Sequence, residues 1–112
     1  MKFYRVDGKI VVSEVELAIG EELTANTTDG AFEKHVPVIE QTGDSVTVRV
    51  GSIAHPMMEE HWIEWIALQT SNGNQRKKLQ PGDEPEVTFL IQEGDEVEAV
   101  YAYCNLRGLW KK

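Results

Sequence analysis

The chain has 112 residues, 41% of them hydrophobic and 27% charged, with a formal net charge of −8. This length supports one domain with a single core and not two. The acidic balance argues against a nucleic-acid or anionic-membrane surface, since both require a basic face, and no run of about 20 apolar residues is present to span a bilayer.

In chain order, Met1-Lys2-Phe3-Tyr4-Arg5 opens directly into an alternating pattern without a secretory apolar core. Phe3–Val6 and Lys9–Val12 flank Asp7-Gly8, a two-residue hairpin signal because both turn positions favour positive φ. Ser45–Val50 alternates cleanly and sets Val46, Val48 and Val50 on one face. His61–Leu68 is apolar on both faces, as a central strand would be, and Val87–Ile91 and Val97–Cys104 read as two further strands about the Glu93-Gly94-Asp95-Glu96 turn. Turn clusters at Gly43-Asp44, Ser71-Asn72-Gly73-Asn74 and Pro81-Gly82-Asp83 punctuate the series. Short strands at this spacing predict an all-β, immunoglobulin-like antiparallel β-sandwich with no helix, preceded by a short N-terminal hairpin.

The residues with transition-metal chemistry are few. Cys104 is the only cysteine, and His35, His55 and His61 are the only histidines. A lone cysteine forms no intrachain disulfide, which fits a reducing cytoplasm. Each of the four has an ordinary reading when taken singly. His35 lies beside Pro37, which holds Val36 extended, and a histidine there is commonly structural. His55 and His61 are separated by Pro56 and cannot form a helical i,i+4 pair, so they belong to a loop and the start of the next strand. A buried thiol is usually inert. Together they make a plausible ligand set for one metal ion if the fold brings them together. Met57 and Met58 read as filler, Trp62, Trp65 and Trp110 as core or interface, and Glu59 as solvated; Glu60 could orient a ligand histidine from outside.

The segments Glu33-Lys34-His35-Val36-Pro37-Val38, His55-Pro56-Met57-Met58-Glu59-Glu60-His61-Trp62-Ile63-Glu64-Trp65-Ile66 and Tyr103-Cys104-Asn105-Leu106-Arg107-Gly108-Leu109-Trp110 resemble, in order, the iron domain of the superoxide reductases, the desulfoferrodoxin and neelaredoxin family. The resemblance runs from about Leu23 to Trp110. It implies residues 1–22 as a cysteine-free remnant of an N-terminal knuckle and residues 23–112 as an iron-binding β-sandwich domain. It further implies a mononuclear non-haem iron with His35, His55 and His61 as equatorial ligands and Cys104 as the axial one. The activity implied is reduction of superoxide to hydrogen peroxide with electrons from a rubredoxin-like donor, in a homo-oligomer (dimer or tetramer). Lys34 would be the cation that attracts superoxide and assists protonation, and Glu33 the carboxylate that can take the open position on oxidised iron.

One position departs from the family motif: Arg107 stands where a fourth histidine would follow the cysteine by three residues. A guanidinium stays protonated and offers no lone pair. Three outcomes are open at this level. Water fills the vacancy on iron, or the site closes into a tetrahedral three-histidine, one-cysteine array that suits zinc, or the arginine charge opposes the cation and metal is held weakly or not at all. The alternative to the enzyme is thus a β-sandwich with zinc, weakly bound iron or no metal, without superoxide turnover.

Overall fold

Ten strands and one short helix follow one another along the chain, which the computed structural model describes in full, residues 1–112. β1 (Lys2–Val6) and β2 (Lys9–Ser13) form the expected hairpin, with Asp7 at φ 50° and Gly8 at φ 75°. β3 (Glu21–Glu22) pairs with the other edge of β1, giving a first sheet in the order β2-β1-β3. Then come α1 (Phe32–His35), β4 (Pro37–Thr42), β5 (Ser45–Val50), β6 (Ile63–Thr70), β7 (Gly73–Lys78), β8 (Glu86–Leu90), β9 (Val97–Cys104) and β10 (Gly108–Lys111). These strands make a four-stranded sheet, β10-β9-β6-β7, and a three-stranded sheet, β4-β5-β8, with antiparallel pairing throughout.

The two larger sheets stack face to face as the predicted β-sandwich. Between them lie Val46, Val48 and Val50 of β5, Ile66 and Leu68 of β6, and Val100, Ala102 and Cys104 of β9, all of them buried. Alternation sends the other face of β9 outward, so Ala99, Tyr101 and Tyr103 join Trp65 and Ala67 in a second apolar layer. The N-terminal sheet covers that layer. Phe3 stacks on Trp65 with ring centroids 5.3 Å apart and meets Tyr101 at 4.8 Å. Burying an aromatic ring of this size is worth several kcal/mol, of order 3–5 by truncation, so the hairpin is held by its apolar face.

Some elements differ from the sequence-based expectation. The strand expected over His61–Leu68 runs instead from Ile63 to Thr70. Its register with β9 shifts between Ile63 and Trp65, so Ile63 and Ile66 both reach the same core, as a β-bulge allows. A helix does form, but it is a single turn ended by Pro37, whose ring disfavours helical geometry at Val36. β7 was hidden because its exposed Gly-Asn-Gln-Arg-Lys-Lys stretch has no apolar alternation; charged residues are what an edge strand uses to discourage further pairing. No helix is long and apolar enough to cross a membrane.

Candidate metal centre

The register of the sandwich brings four strand ends together. Pro37 at the start of β4 pairs with Val50 at the end of β5, and Ile63 at the start of β6 pairs with Cys104 at the end of β9. His35 precedes the first strand, His55 follows the second, His61 precedes the third, and Cys104 ends the fourth. One ligand atom from each of these four residues lies within 4.8 Å of the other three. All four residues singled out in the sequence therefore meet at one end of the fold.

Local hydrogen bonds aim the rings. His35 Nδ1 donates to the carbonyl of Ala31 at 2.7 Å, back along the single turn of α1. His55 Nδ1 donates to the carbonyl of Pro56 at 2.6 Å, and the His55 backbone N–H donates to Val50 O at 2.9 Å. A carbonyl only accepts, so in both rings the proton sits on Nδ1 and the lone pair on Nε2. His61 is held by a two-way backbone bridge with Met58, N–H to carbonyl at 3.0 and 2.9 Å. The Nε2 atoms of His35, His55 and His61 are all buried and have no hydrogen-bond partner. A buried polar atom left unmatched costs about 1–3 kcal/mol, and three unmatched ring nitrogens in a cluster with a sulfur are what a cation would satisfy. The residues fit a metal ion.

The rings are arranged in a particular way. His55 lies 4.7 Å from His35 and 4.7 Å from His61, centroid to centroid, whereas His35 and His61 are 6.4 Å apart. Three apices of a regular tetrahedron would be equidistant, while three corners of a square have one separation about 1.4 times the others, and such geometry discriminates between metals. The imidazoles follow the square, with His55 at the middle corner and the corner opposite it lacking an imidazole.

The electrostatics favour the ligating forms of the His55 and His61 imidazoles. Burial pushes the His55 imidazole down to about 4, with neighbouring His35, His61 and Lys34 adding to the effect against the Pro56 hydrogen bond. His61 is lowered as well, by burial first and then by His35 and Arg107. Both rings are thus neutral near pH 7, the form that binds metal. Burial raises the Cys104 thiol; the backbone N–H groups of Leu106 and Arg107 and the Arg107 charge act in the opposite direction. Those donors would stabilise a thiolate once a cation offsets the burial.

Lys34 lies on α1 beside His35, and its charge is felt at both His55 and His61. Glu33 occupies the same turn and is exposed; its backbone carbonyl receives the N–H of Ile53 at 2.9 Å and the hydroxyl of Ser52 at 3.3 Å. Arg107 is exposed in the β9–β10 turn. Its carbonyl accepts the indole N–H of Trp110 at 3.1 Å and the hydroxyl of Thr28. Trp110 is fully buried and packs against the His35 ring at 4.8 Å, which gives that tryptophan a place at the site. Sequence reasoning overlooked Asn105, whose amide bridges to the Glu60–Trp62 loop, and Gly51, which lies against the backbone of Glu33 and Lys34.

Comparison with known proteins agrees with this geometry. The Desulfoferrodoxin family model matches residues 27–112, a span that includes all four converging residues. The chain belongs to the desulfoferrodoxin family. Among its relatives in that family, a desulfoferrodoxin of Nitratidesulfovibrio vulgaris is 56% identical over 85 residues, which is 76% of this chain and 66% of that protein. A superoxide reductase of Pyrococcus horikoshii is 37% identical over 106 residues, covering 79% of this chain and 91% of the relative. In three dimensions, the crystal structure of the superoxide reductase from Treponema pallidum superposes with a TM-score of 0.86 at 37% identity, covering 100% of this chain and 98% of that one. The likeness to that structure therefore extends through the N-terminal sheet, outside the residues matched by the family model.

Proposed function

We propose that this protein is a superoxide reductase-like oxidoreductase that converts superoxide to hydrogen peroxide with electrons from an external, rubredoxin-like donor. The observation that carries the reading is that one ligand atom each of His35, His55, His61 and Cys104 lies within 4.8 Å of the others, with all three imidazole Nε2 atoms buried and without a hydrogen-bond partner, in a chain of the desulfoferrodoxin family. His35, His55, His61 and Cys104 would hold a mononuclear iron, which when bound supplies the reducing electron and a Lewis-acidic position for the substrate.

The chain's own residues account for the rest. The Ala31 and Pro56 carbonyls fix two rings so that no reorientation is needed on loading. The N–H groups of Leu106 and Arg107 favour the thiolate of Cys104. Lys34 presents an exposed ammonium on the residue before His35, drawing an anionic substrate in and offering a proton donor on the way to neutral peroxide. Glu33, one residue earlier, is the carboxylate able to swing toward the site in the oxidised protein. One electron and two protons convert one superoxide to one hydrogen peroxide. Residues 1–22, which lack cysteine, serve in this reading as a cover for the 23–112 domain rather than as an electron relay. The cytoplasm and a dimeric or tetrameric assembly complete the proposal.

A three-nitrogen, one-sulfur set also suits zinc, but the near-square ring layout supports the iron reading over a tetrahedral one. The test is to load the protein with iron anaerobically, expose it to a known amount of superoxide, and count peroxide. One peroxide per superoxide consumed is expected, with a visible thiolate-to-ferric band that Cys104→Ser removes. Peroxide at half that yield, or unchanged colour and turnover in Cys104→Ser, would sink the proposal.

A further inference from the structure

The imidazoles of His35, His55 and His61 outline three corners of a near-square, and the chain has no fourth histidine. The group of metal-capable side chains at this end is limited to those three and Cys104, so no carboxylate of the chain fills the remaining corner. Arg107 stands nearby with an unusual degree of freedom. Arg5 and Arg49 are ion-paired with glutamates, and Arg76 lies over the Trp65 ring at 5.4 Å. Arg107 makes no ion pair and no side-chain hydrogen bond, although its backbone is fixed by Trp110 and Thr28. The root of the side chain is thus anchored beside the cluster while its guanidinium is exposed and unmatched.

The turn that carries Arg107 is tied to both flanks of the open corner. The Arg107 carbonyl accepts the indole N–H of Trp110, whose ring packs on His35 at 4.8 Å, and Asn105, two residues earlier, bonds to Glu60 and Trp62 on either side of His61. His35 and His61 are the two rings that flank the corner opposite His55, so the Arg107 backbone is anchored on that side. We infer that a small carboxylate-type oxyanion, bicarbonate being the simplest, completes the centre at the corner opposite His55 and is clamped there by the Arg107 guanidinium. A guanidinium is a planar fork of donors that matches two oxygens of such an anion; the third oxygen of bicarbonate, or the second lone pair of a carboxylate oxygen, remains for the metal. The charge of the anion also offsets the repulsion between Arg107 and a bound cation. The inference rests on the metal-site reading above and extends it: in this chain the donor at the corner opposite His55 would come from solution.

Linkage makes this measurable without turnover. If anion and metal share the corner, each must tighten the other by the same factor. Ferrous iron is titrated anaerobically by calorimetry into the protein in carbonate-free buffer, and again with bicarbonate, acetate or chloride at equal ionic strength. Bicarbonate or acetate should tighten iron binding about tenfold or more, within the usual range of coupling between sites, and chloride should not. Arg107→Ala should lose the anion effect, Arg107→Lys should keep only part of it, and Arg107→His should bind iron tightly with little anion dependence. Iron binding to the unmodified chain that is indifferent to the anion overturns the inference, as does an anion effect that survives in Arg107→Ala or is matched by chloride; in each case the metal-site reading stands. Failure of both the unmodified chain and Arg107→His to bind iron under any anion would overturn the metal-site reading itself, and the anion site with it.

Discussion

Trp62 and Asn105 hold each other through two hydrogen bonds that run in opposite directions. The Trp62 backbone N–H donates to Asn105 Oδ1 at 3.0 Å, and the Asn105 backbone N–H donates to the Trp62 carbonyl at 3.2 Å. The Asn105 amide also donates to the carbonyl of Glu60 at 3.1 Å. Since His61 lies between Glu60 and Trp62, and Cys104 directly precedes Asn105, one side chain fixes the spacing of two proposed ligands from remote parts of the chain.

The first prediction follows from that clamp. Asn105→Ala removes both side-chain bonds and frees the 60–62 loop, so iron affinity should fall about tenfold or more, the low end of the effect of groups that orient ligands. Asn105→Asp retains the Oδ1 acceptor for Trp62 but loses the donor to Glu60, and should fall between. Competition with a ferrous chelator measures both. Unchanged affinity in Asn105→Ala would mean that the loop is held by its backbone alone.

Gly51 sets a second spacing, between α1 and the loop carrying His55. A Cβ at this position would come within 2.6 Å of the Glu33 carbonyl oxygen and 2.9 Å of the Lys34 carbonyl carbon. Those atoms are backbone and cannot rotate aside. Gly51→Ala should therefore push the Glu33-Lys34 turn away from the site and lower stability by about 1–3 kcal/mol, the usual cost of overpacking. Urea denaturation gives the stability change, and iron titration should show weaker binding because His35 rides on the displaced turn. A midpoint equal to that of the unmodified protein would show that the contact relaxes freely.

Asp95 gives a pH prediction far from the histidines in sequence. It receives hydroxyls from Ser71 at 2.7 Å and Thr70 at 2.8 Å, and backbone N–H groups from Asn72 at 3.1 Å and Glu96 at 3.0 Å, tying the β6–β7 turn to the loop before β9. The Ser71 bond, with those of Thr70, Asn72 and Glu96, holds its carboxyl below the ordinary 3.8 against a smaller opposing effect of burial. A depressed folded-state value means that the unfolded chain binds the proton more readily. The stabilisation is therefore complete above about pH 4, the ordinary aspartate range, and disappears as pH falls through the lowered value. Asp95→Asn should melt at a lower temperature than the parent at neutral pH, and the gap should narrow on acidification below that range. A gap that stays constant with pH would point to shape rather than charge.

Much of the frame was legible because period-two alternation is strong where one face is buried. Ser45–Val50 and Val97–Cys104 match β5 and β9 to the residue, and Asp7-Gly8 marks its turn through the φ values it needs. The bulge near Glu64 was not legible, because a register shift depends on the partner strand rather than on local composition. The one-turn helix is too short to carry a period. At the site, each histidine and the cysteine were ambiguous alone, and only their joint motif resemblance pointed to a common centre. Asn105 and Gly51 act through contacts made across the fold, and neither residue type announces such contacts in sequence.

The last prediction concerns the N-terminal sheet. Phe3 is 2% exposed, stacked on Trp65 and against Tyr101, while Trp65 in turn stacks on Tyr103 at 5.5 Å. This aromatic column lies on the outer face of the β10-β9-β6-β7 sheet, and Cys104 points to the inner face. The pleat thus separates what Phe3 stabilises from what the proposed ligands do, even though Tyr103 and Cys104 are neighbours in the chain. Phe3→Ala should cost about 3–5 kcal/mol, as for other large-to-small changes at buried aromatics, and Phe3→Leu distinctly less. The visible spectrum and iron affinity of the protein that remains folded should match the parent, because no donor atom moves. Calorimetric melting and iron titration of the same samples check the two halves together. An unaltered melting temperature would mean the sheet is not a cover at all, and a weakened iron site in folded Phe3→Ala would mean that the N-terminal sheet reaches the metal centre through β9.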